Sequence, residues 1–403
     1  MEKLIGLLGI VTILLVAFAA SNNRKAISWR LVGVGLGGQL LLALLILKVP
    51  GFTDVFALMG EGIRKLLDYS SQGAAFVFGE DMVKGKFVFL IQVGSSIIFM
   101  SALSAVAYYL GIMQKVVAGL AWVMRKTMGV SGAEALSSAS SIFVGQVESQ
   151  FLIKPYMKTL TNSELFTAMT VNMATIAGTV LVAYTAMGMN AMYLIAASVM
   201  SAPAGIVIAK MMWPETDREA ATRQVSMNLE KQGENIFDAF SHGVLDGWKV
   251  ARNVMIMVLA AVAFIAMANG ILGAGLSLFG WSFQIQDVFG VFLTPVALLM
   301  GVPWNEAFMV GKLMATEIIV NEFVSYGELA THISNGTISA KGQVVATIAL
   351  CGFANLSSIA INIGGLSAMA PERRGDIARM GLKALIAANM ATWLTAAVAG
   401  ILF

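Results

Sequence analysis

The chain has 403 residues, of which 58% are hydrophobic and only 12% charged, with a formal net charge of +3. A chain of that length and apolar content reads as a polytopic membrane protein rather than a soluble domain. Its two histidines and single cysteine exclude a zinc or copper constellation, and its dispersed positive charge argues against nucleic acid as a partner.

Apolar runs long enough to cross a bilayer as helices occur near residues 4–20, 31–48, 88–112, 165–187, 191–212, 250–273, 343–364 and 381–402, which predicts about eight spans. The first run ends in AFAASNN, small residues like those before a signal cleavage site. A short basic loop and a second apolar run follow it, and Cys351 alone cannot form an intrachain disulfide framework, so it reads as a retained helix. Arg24, Lys25 and Arg30, then Lys115, Arg125 and Lys126, then Arg218, Arg223, Lys231 and Lys249, then Arg373, Arg374 and Arg379 all fall on one side of an eight-span arrangement. That side is expected to be cytoplasmic, which puts both termini outside.

The predicted organisation is scaffold helices with an amphipathic interfacial segment over 1–112, a first repeat over 113–212, a cytoplasmic linker over 213–247, a long scaffold helix over 248–280 and a second repeat over 281–403. The repeats announce themselves by a shared signature: MGVSGAEAL starts at Met128 and MGVPWNEAF at Met300, so that Glu134 matches Glu306. Each signature leads into a small-residue segment that reaches a carboxylate, Glu148 in the first and Glu322 in the second. Neither segment is long enough to cross twice, so both read as re-entrant helical hairpins. After each hairpin comes a span interrupted by small and polar residues, NMATIAGTV at 172–180 and GFANLSSIA at 352–360. The charge map puts the two signatures on opposite sides, and such inverted repeats with interrupted helices point to a secondary transporter with its site near the midplane.

A carboxylate at the centre of a lipid-facing helix costs roughly 2.5 to 3.5 kcal/mol on insertion scales. Glu148 and Glu322 are either loop-tip residues in water or paired with Lys154 or Lys312, or they serve a ligand. Their matched positions, flanked by Gln146 and Asn321, favour the ligand. Carboxylates accept hydrogen bonds from vicinal hydroxyls and ring N–H groups, and a carboxamide can read a planar amide edge, so sugar hydroxyls and a heterocyclic base fit, whereas an anion does not. Glu134 and Glu306 are expected to serve first helical turns, and Lys154 and Lys158 to act as interfacial anchors. A membrane-embedded hydrolase using Glu148 and Glu322 as acid and base is a weaker reading, and no enzymatic activity or cofactor is expected.

IFVGQVES followed by KPY, SELFTAM and TIAG before VLVAY, MGVPWNEAF leading to NEF at 321–323, and CGFANLSSIAI at 351–361 together resemble the concentrative nucleoside transporter family over about residues 88–403. The resemblance implies an all-α homotrimer in the bacterial inner membrane, surrounded by lipid, that imports nucleosides by elevator-like symport with sodium or, alternatively, protons. It implies that Gln146, Val147 and Glu148 face the base, that Glu322, Asn355 and Ser358 hold the ribose, and that Phe353 packs against the nucleoside. It implies a sodium site at Ser141, Val144, Thr175 and Ile176. The family usually has Asn at 141, Thr at 147 and Pro at 150, so the shorter Ser141 leaves proton coupling open and Val147 leaves base preference open. A carrier for another neutral polyhydroxyl or nucleobase-like solute is the alternative.

Overall fold

Stretches rich in leucine, alanine and methionine are strong helix formers, and a helix satisfies its backbone groups within the segment, as lipid requires. The computed structural model describes residues 2–85, 87–146, 148–217, 221, 233–277 and 280–403, and these form eighteen α-helices with no strand among them. In chain order these are α1 (Glu2–Ala19), α2 (Trp29–Lys48), α3 (Phe52–Phe78), α4 (Glu80–Lys84), α5 (Ser95–Tyr109, entered through a π turn over Leu90–Gly94) and α6 (Ile112–Met128). Next come α7 (Gly132–Ser141), α8 (Glu148–Phe151), α9 (Asn162–Ala174), α10 (Gly178–Ala186), α11 (Ala191–Met212) and α12 (Ile236–Ser277). The last are α13 (Ile285–Leu299), α14 (Ala307–Ile319), α15 (Glu322–Ser334), α16 (Ala340–Ala349), α17 (Leu356–Met369) and α18 (Arg374–Leu402).

Six helical stretches among the described residues are long and apolar enough to cross a membrane: α2, Leu90–Tyr109, Asn162–Ala186, α11, α12 and Pro371–Leu402. The run at 4–20 is a shorter apolar helix, and the run at 343–364 is divided between α16 and α17. Besides α7, α8, α14 and α15, the helices α3, α4, α6 and α13 lie outside the expected runs. α3 is long and amphipathic, whereas α6, with basic residues in its last turn, and the short α13, with Pro295 inside it, escape a hydropathy reading. The stretch expected as a linker over 213–247 already becomes helical at Ile236, where α12 begins.

Burial separates a centre from a rim. Of the apolar windows, 89% of α9–α10 and 78% of both α11 and α18 are buried, against 6% of α12. Small residues permit the tight contacts. Gly243 and Gly247 of α12, one helical turn apart, seat the helix on α5, where a Cβ on either would stand 2.7 Å from the α-carbon of Ala102 or Ile98. Polar ties cross the centre: Gln39 of α2 donates to Thr395 of α18 at 2.9 Å, and Ser201 of α11 meets the same hydroxyl at 3.2 Å.

At one end of α11, buried Lys210 pairs with Glu134, donates to Ser163 at 2.8 Å and lies 3.8 Å from Glu215. Glu134 also closes a capping box with Ser131 at the start of α7, and Glu164 does the same with Thr161 at the start of α9. Glu134 thus serves its first turn as expected and, in addition, clamps α7 to α11. Glu306 differs from the expectation: it stands at the N-cap position of α14, and its carboxylate accepts from Ser339 N–H and hydroxyl at 3.0 and 3.1 Å, capping α16 instead.

Candidate functional site

The first hairpin is α7, a tip over 142–146 and α8. Small side chains on α7 let it run buried among its neighbours, and Ser140 joins the arms by donating to Ser149 O at 3.5 Å. A Cβ on Gly145 would meet the Glu148 carboxylate, which folds over the tip, and the end of that side chain would have to shift to admit it. Val147 lies outside the described residues. The second hairpin is α14, a tip at Val320 and Asn321, and α15. Ser325 ties its arms by donating to Leu313 O at 2.8 Å, and Asn321 caps α15 by accepting from Val324 N–H at 3.0 Å.

Both interrupted helices break where small and polar residues fall. α9 ends before Thr175, which is extended at φ −119° and ψ 166°, and α10 starts at Gly178. α16 ends at Ala349 and α17 begins after Asn355. The breaks touch each other, since a Cβ on Gly352 would come within 3.0 Å of Met173 O. Asn389 of α18 supports the second break by donating to Ala354 O at 2.9 Å.

A continuous polar network links the two hairpin tips through the second break. Glu322, buried at the start of α15, accepts from Tyr184 at 3.0 Å and from Asn355 at 2.7 Å. Asn355 uses its other end to cap α17, its amide oxygen accepting from Ser358 N–H at 3.0 Å and from the Ser358 hydroxyl at 3.2 Å. Gln146, at the first tip, donates to that same hydroxyl at 3.4 Å and accepts from Asn362 at 3.2 Å, and Gln150 donates to Asn362 at 2.7 Å. A buried chain of this kind fixes each side chain's orientation and holds one carboxylate where it can accept further hydrogen bonds.

Of the residues read from sequence as a substrate site, Gln146, Glu322, Asn355 and Ser358 therefore meet directly. Phe353 lies half-buried in the second break, next to that group in sequence, and Glu148 is exposed at the first tip, outside the chain of hydrogen bonds. Lys312 does not serve Glu322: it pairs with Asp287 at 2.7 Å. Three participants were not anticipated. Tyr184 stacks against Phe323 and Tyr326 with centroids 4.9 and 4.5 Å away while its hydroxyl reaches Glu322. Asn362 and Gln150 complete the network; the signal for Asn362 is the spacing Asn355, Ser358, Asn362, a step of three and then one of four residues, which keeps all three on one face at the start of α17.

Of the residues read as a cation site, Ser141 ends α7, Val144 follows in the tip, with its N–H donating to Ser140 O at 3.0 Å, and Thr175 and Ile176 lie in the break after α9. Ser198 of α11 donates to Ile142 O at 3.3 Å and Ile176 O at 3.5 Å, and Gly178 N–H donates to Phe143 O at 2.9 Å. Ser141 and Thr175, at the ends of α7 and α9, turn their hydroxyls to Ser138 O and Val171 O at 2.9 and 3.0 Å. The C-terminal ends of α7 and α9 thus approach one another, each with the partial negative charge of its last carbonyls, and the Ser141 and Thr175 hydroxyl oxygens stand beside them. A hard monovalent cation suits such a donor set.

Comparison with known proteins points to one family. Residues 193–400 match the family described as Na+ dependent nucleoside transporter C-terminus, residues 8–81 match its N-terminal counterpart, and residues 90–210 match a nucleoside recognition gate. The chain is 42% identical over 403 residues to the transporter YutK of Bacillus subtilis, with 99% of each chain covered. It is 40% identical over 420 residues to sodium/nucleoside cotransporter 1 of Mus musculus, covering 100% of this chain and 64% of the mouse protein. Among solved structures, CNTnw in an inward-facing substrate-bound state superposes with a TM-score of 0.93 at 38% identity, covering 100% of this chain and 98% of the other. A double variant of CNTnw in an outward-facing state gives a TM-score of 0.95 at the same identity, with the same coverage.

Proposed function

Because the chain belongs to the Na+-dependent, concentrative nucleoside transporter family, we propose that it imports nucleosides by sodium symport with alternating access, using the network centred on Glu322 as its substrate site. The observation that carries this reading is that Gln146, Glu322, Asn355 and Ser358, drawn from two hairpin tips and a broken helix, meet in one hydrogen-bonded group. Glu322 takes the ribose hydroxyls, with Tyr184 and Asn355 holding its carboxylate in place. Gln146 and Glu148 face the base, and Phe353 closes on the nucleoside.

Sodium occupies the junction of Ser141, Val144, Thr175 and Ile176. Binding there braces the first tip against the α9–α10 break and orients Gln146, so each ligand favours the conformation the other needs. The hairpins enter the membrane without crossing it, and the two inverted repeats, 113–212 and 281–403, carry them as one transport unit against scaffold helices. α12 supports a scaffold role, because its apolar surface is left open to lipid or to further copies of the chain in a homotrimer. The loops bearing Arg24, Lys115 and Arg373 face the cytoplasm of a bacterial inner membrane, with both termini outside.

Calorimetry of the purified protein tests the reading. Uridine binds tighter in sodium than in choline, and neither free uracil nor ribose competes at matching concentrations. Equal affinity in both salts, or full competition by uracil alone, overturns it.

A further inference from the structure

Glu317 lies on α14, the first arm of the second hairpin, and no part of the proposed substrate or sodium site uses it. Its side chain is fully buried, and neither carboxylate oxygen has a hydrogen-bond partner among the described residues. It contrasts with Glu322, five positions on, whose buried carboxylate receives two donors. The groups near enough to feel its charge are Glu322 and Tyr326 of α15 and Cys351 at the end of α16, none of them cationic. Elsewhere on the elements packed against α14, Asp287 of α13 pairs with Lys312. Glu328 of α15 accepts from Thr316 at 3.3 Å, and Lys341 stands in the first turn of α16, at the far end of that helix from Cys351. Tyr326 spends its hydroxyl on Thr347 O at 2.8 Å.

An ionised carboxylate cannot persist in an apolar interior without a donor or a counter-charge; it neutralises instead. No group of three or more His, Cys, Asp or Glu side chains gathers around Glu317 among the described residues, as a divalent metal site would call for, whereas a proton needs only one oxygen of the carboxylate itself. We infer that Glu317 is a proton-binding site of the second hairpin, loaded while the hairpin is packed as in this structure and emptied to water when it opens. Loading takes a proton from water onto the carboxylate, and release returns it to water on the other side. Because Glu317 shares the hairpin with Glu322, packing this hairpin over bound nucleoside favours the protonated form, and a proton travels with the nucleoside beside sodium. This inference rests on the transport reading above.

The test uses proteoliposomes of the whole protein with pyranine trapped inside, the voltage clamped by potassium and valinomycin, and an inward sodium gradient. Added labelled uridine accumulates and the lumen acidifies in step with it. In Glu317→Gln, whose amide resembles the protonated carboxyl in shape and charge, sodium-driven uptake continues and the acidification disappears. Should that variant fail to insert, Glu317→Leu reads the same loss with an apolar side chain. Wild-type uptake without acidification, or undiminished acidification in either variant, overturns the inference and leaves sodium symport standing. No wild-type uptake at all contradicts the transport reading and the inference with it.

Discussion

Replacing Glu322 by Gln changes one oxygen to an amide nitrogen and removes the charge while keeping the shape. The Tyr184 hydroxyl, 3.0 Å from one oxygen, can rotate its proton away and accept from the new NH2, and Asn355, 2.7 Å from the other, keeps an oxygen to donate to. The variant therefore folds and inserts. What it loses is charge assistance to two ribose hydroxyls. A hydrogen bond to a charged group contributes about 1.5 to 3 kcal/mol and a neutral one about 0.5 to 1.5. The difference over two bonds is about 2 to 3 kcal/mol, or roughly 30- to 150-fold in affinity. Calorimetric titration with uridine and with 2′,3′-dideoxyuridine completes a cycle in which one axis is the protein and the other the ligand. The variant loses uridine affinity by that factor and changes little toward the dideoxy compound. An equal loss for both ligands, or unchanged uridine binding, refutes the ribose role of Glu322.

Three further outcomes follow from the packing and the polar clusters. Lys210→Met leaves Glu134 buried without its counter-charge, at a cost of about 3 to 5 kcal/mol for breaking a buried pair, so the melting temperature falls sharply and the double change with Glu134→Met recovers most of it. Gly311→Ala drives a methyl to within 2.8 Å of Gly290 O and 2.9 Å of Thr294 N, overpacking the α13–α14 contact by about 1 to 3 kcal/mol, whereas Gly37→Ala, with nothing within 4 Å, leaves the melting temperature unlowered. Ser141→Ala removes one oxygen from the proposed sodium junction, and a sodium titration of uptake shifts by roughly 2- to 12-fold, the span of about 0.5 to 1.5 kcal/mol for one neutral polar contact. Ser141→Asn keeps an oxygen there and keeps the sodium response.

The features legible in the sequence were those where polar or small residues interrupt an apolar run. MGVSGAEAL and MGVPWNEAF lead into the two helical hairpins, and NMATIAGTV and GFANLSSIA fall on the two helix breaks. Glu322, Asn355, Ser358 and Gln146 could be named because each punctuates such a run. α6 was not legible because charged and polar residues interrupt it, and α13 because it is apolar but too short to span. The Lys210–Glu134 pair depends on α11 returning beside α7, a contact that no local periodicity reveals. Tyr184 reads as one more apolar residue in VLVAY until the second hairpin brings Glu322 to its hydroxyl. Glu317 has no acidic counterpart at a matching place in α7, so comparing the repeats gives no hint of it.

The central claim is that sodium and nucleoside cross together. Purified protein in liposomes, given an inward sodium gradient and labelled uridine at equal concentration on both sides, is predicted to raise the inner concentration above the outer until the gradient is spent, and to do so no longer when monensin collapses the gradient. Uridine that merely stays level on the two sides with the gradient intact would contradict the account.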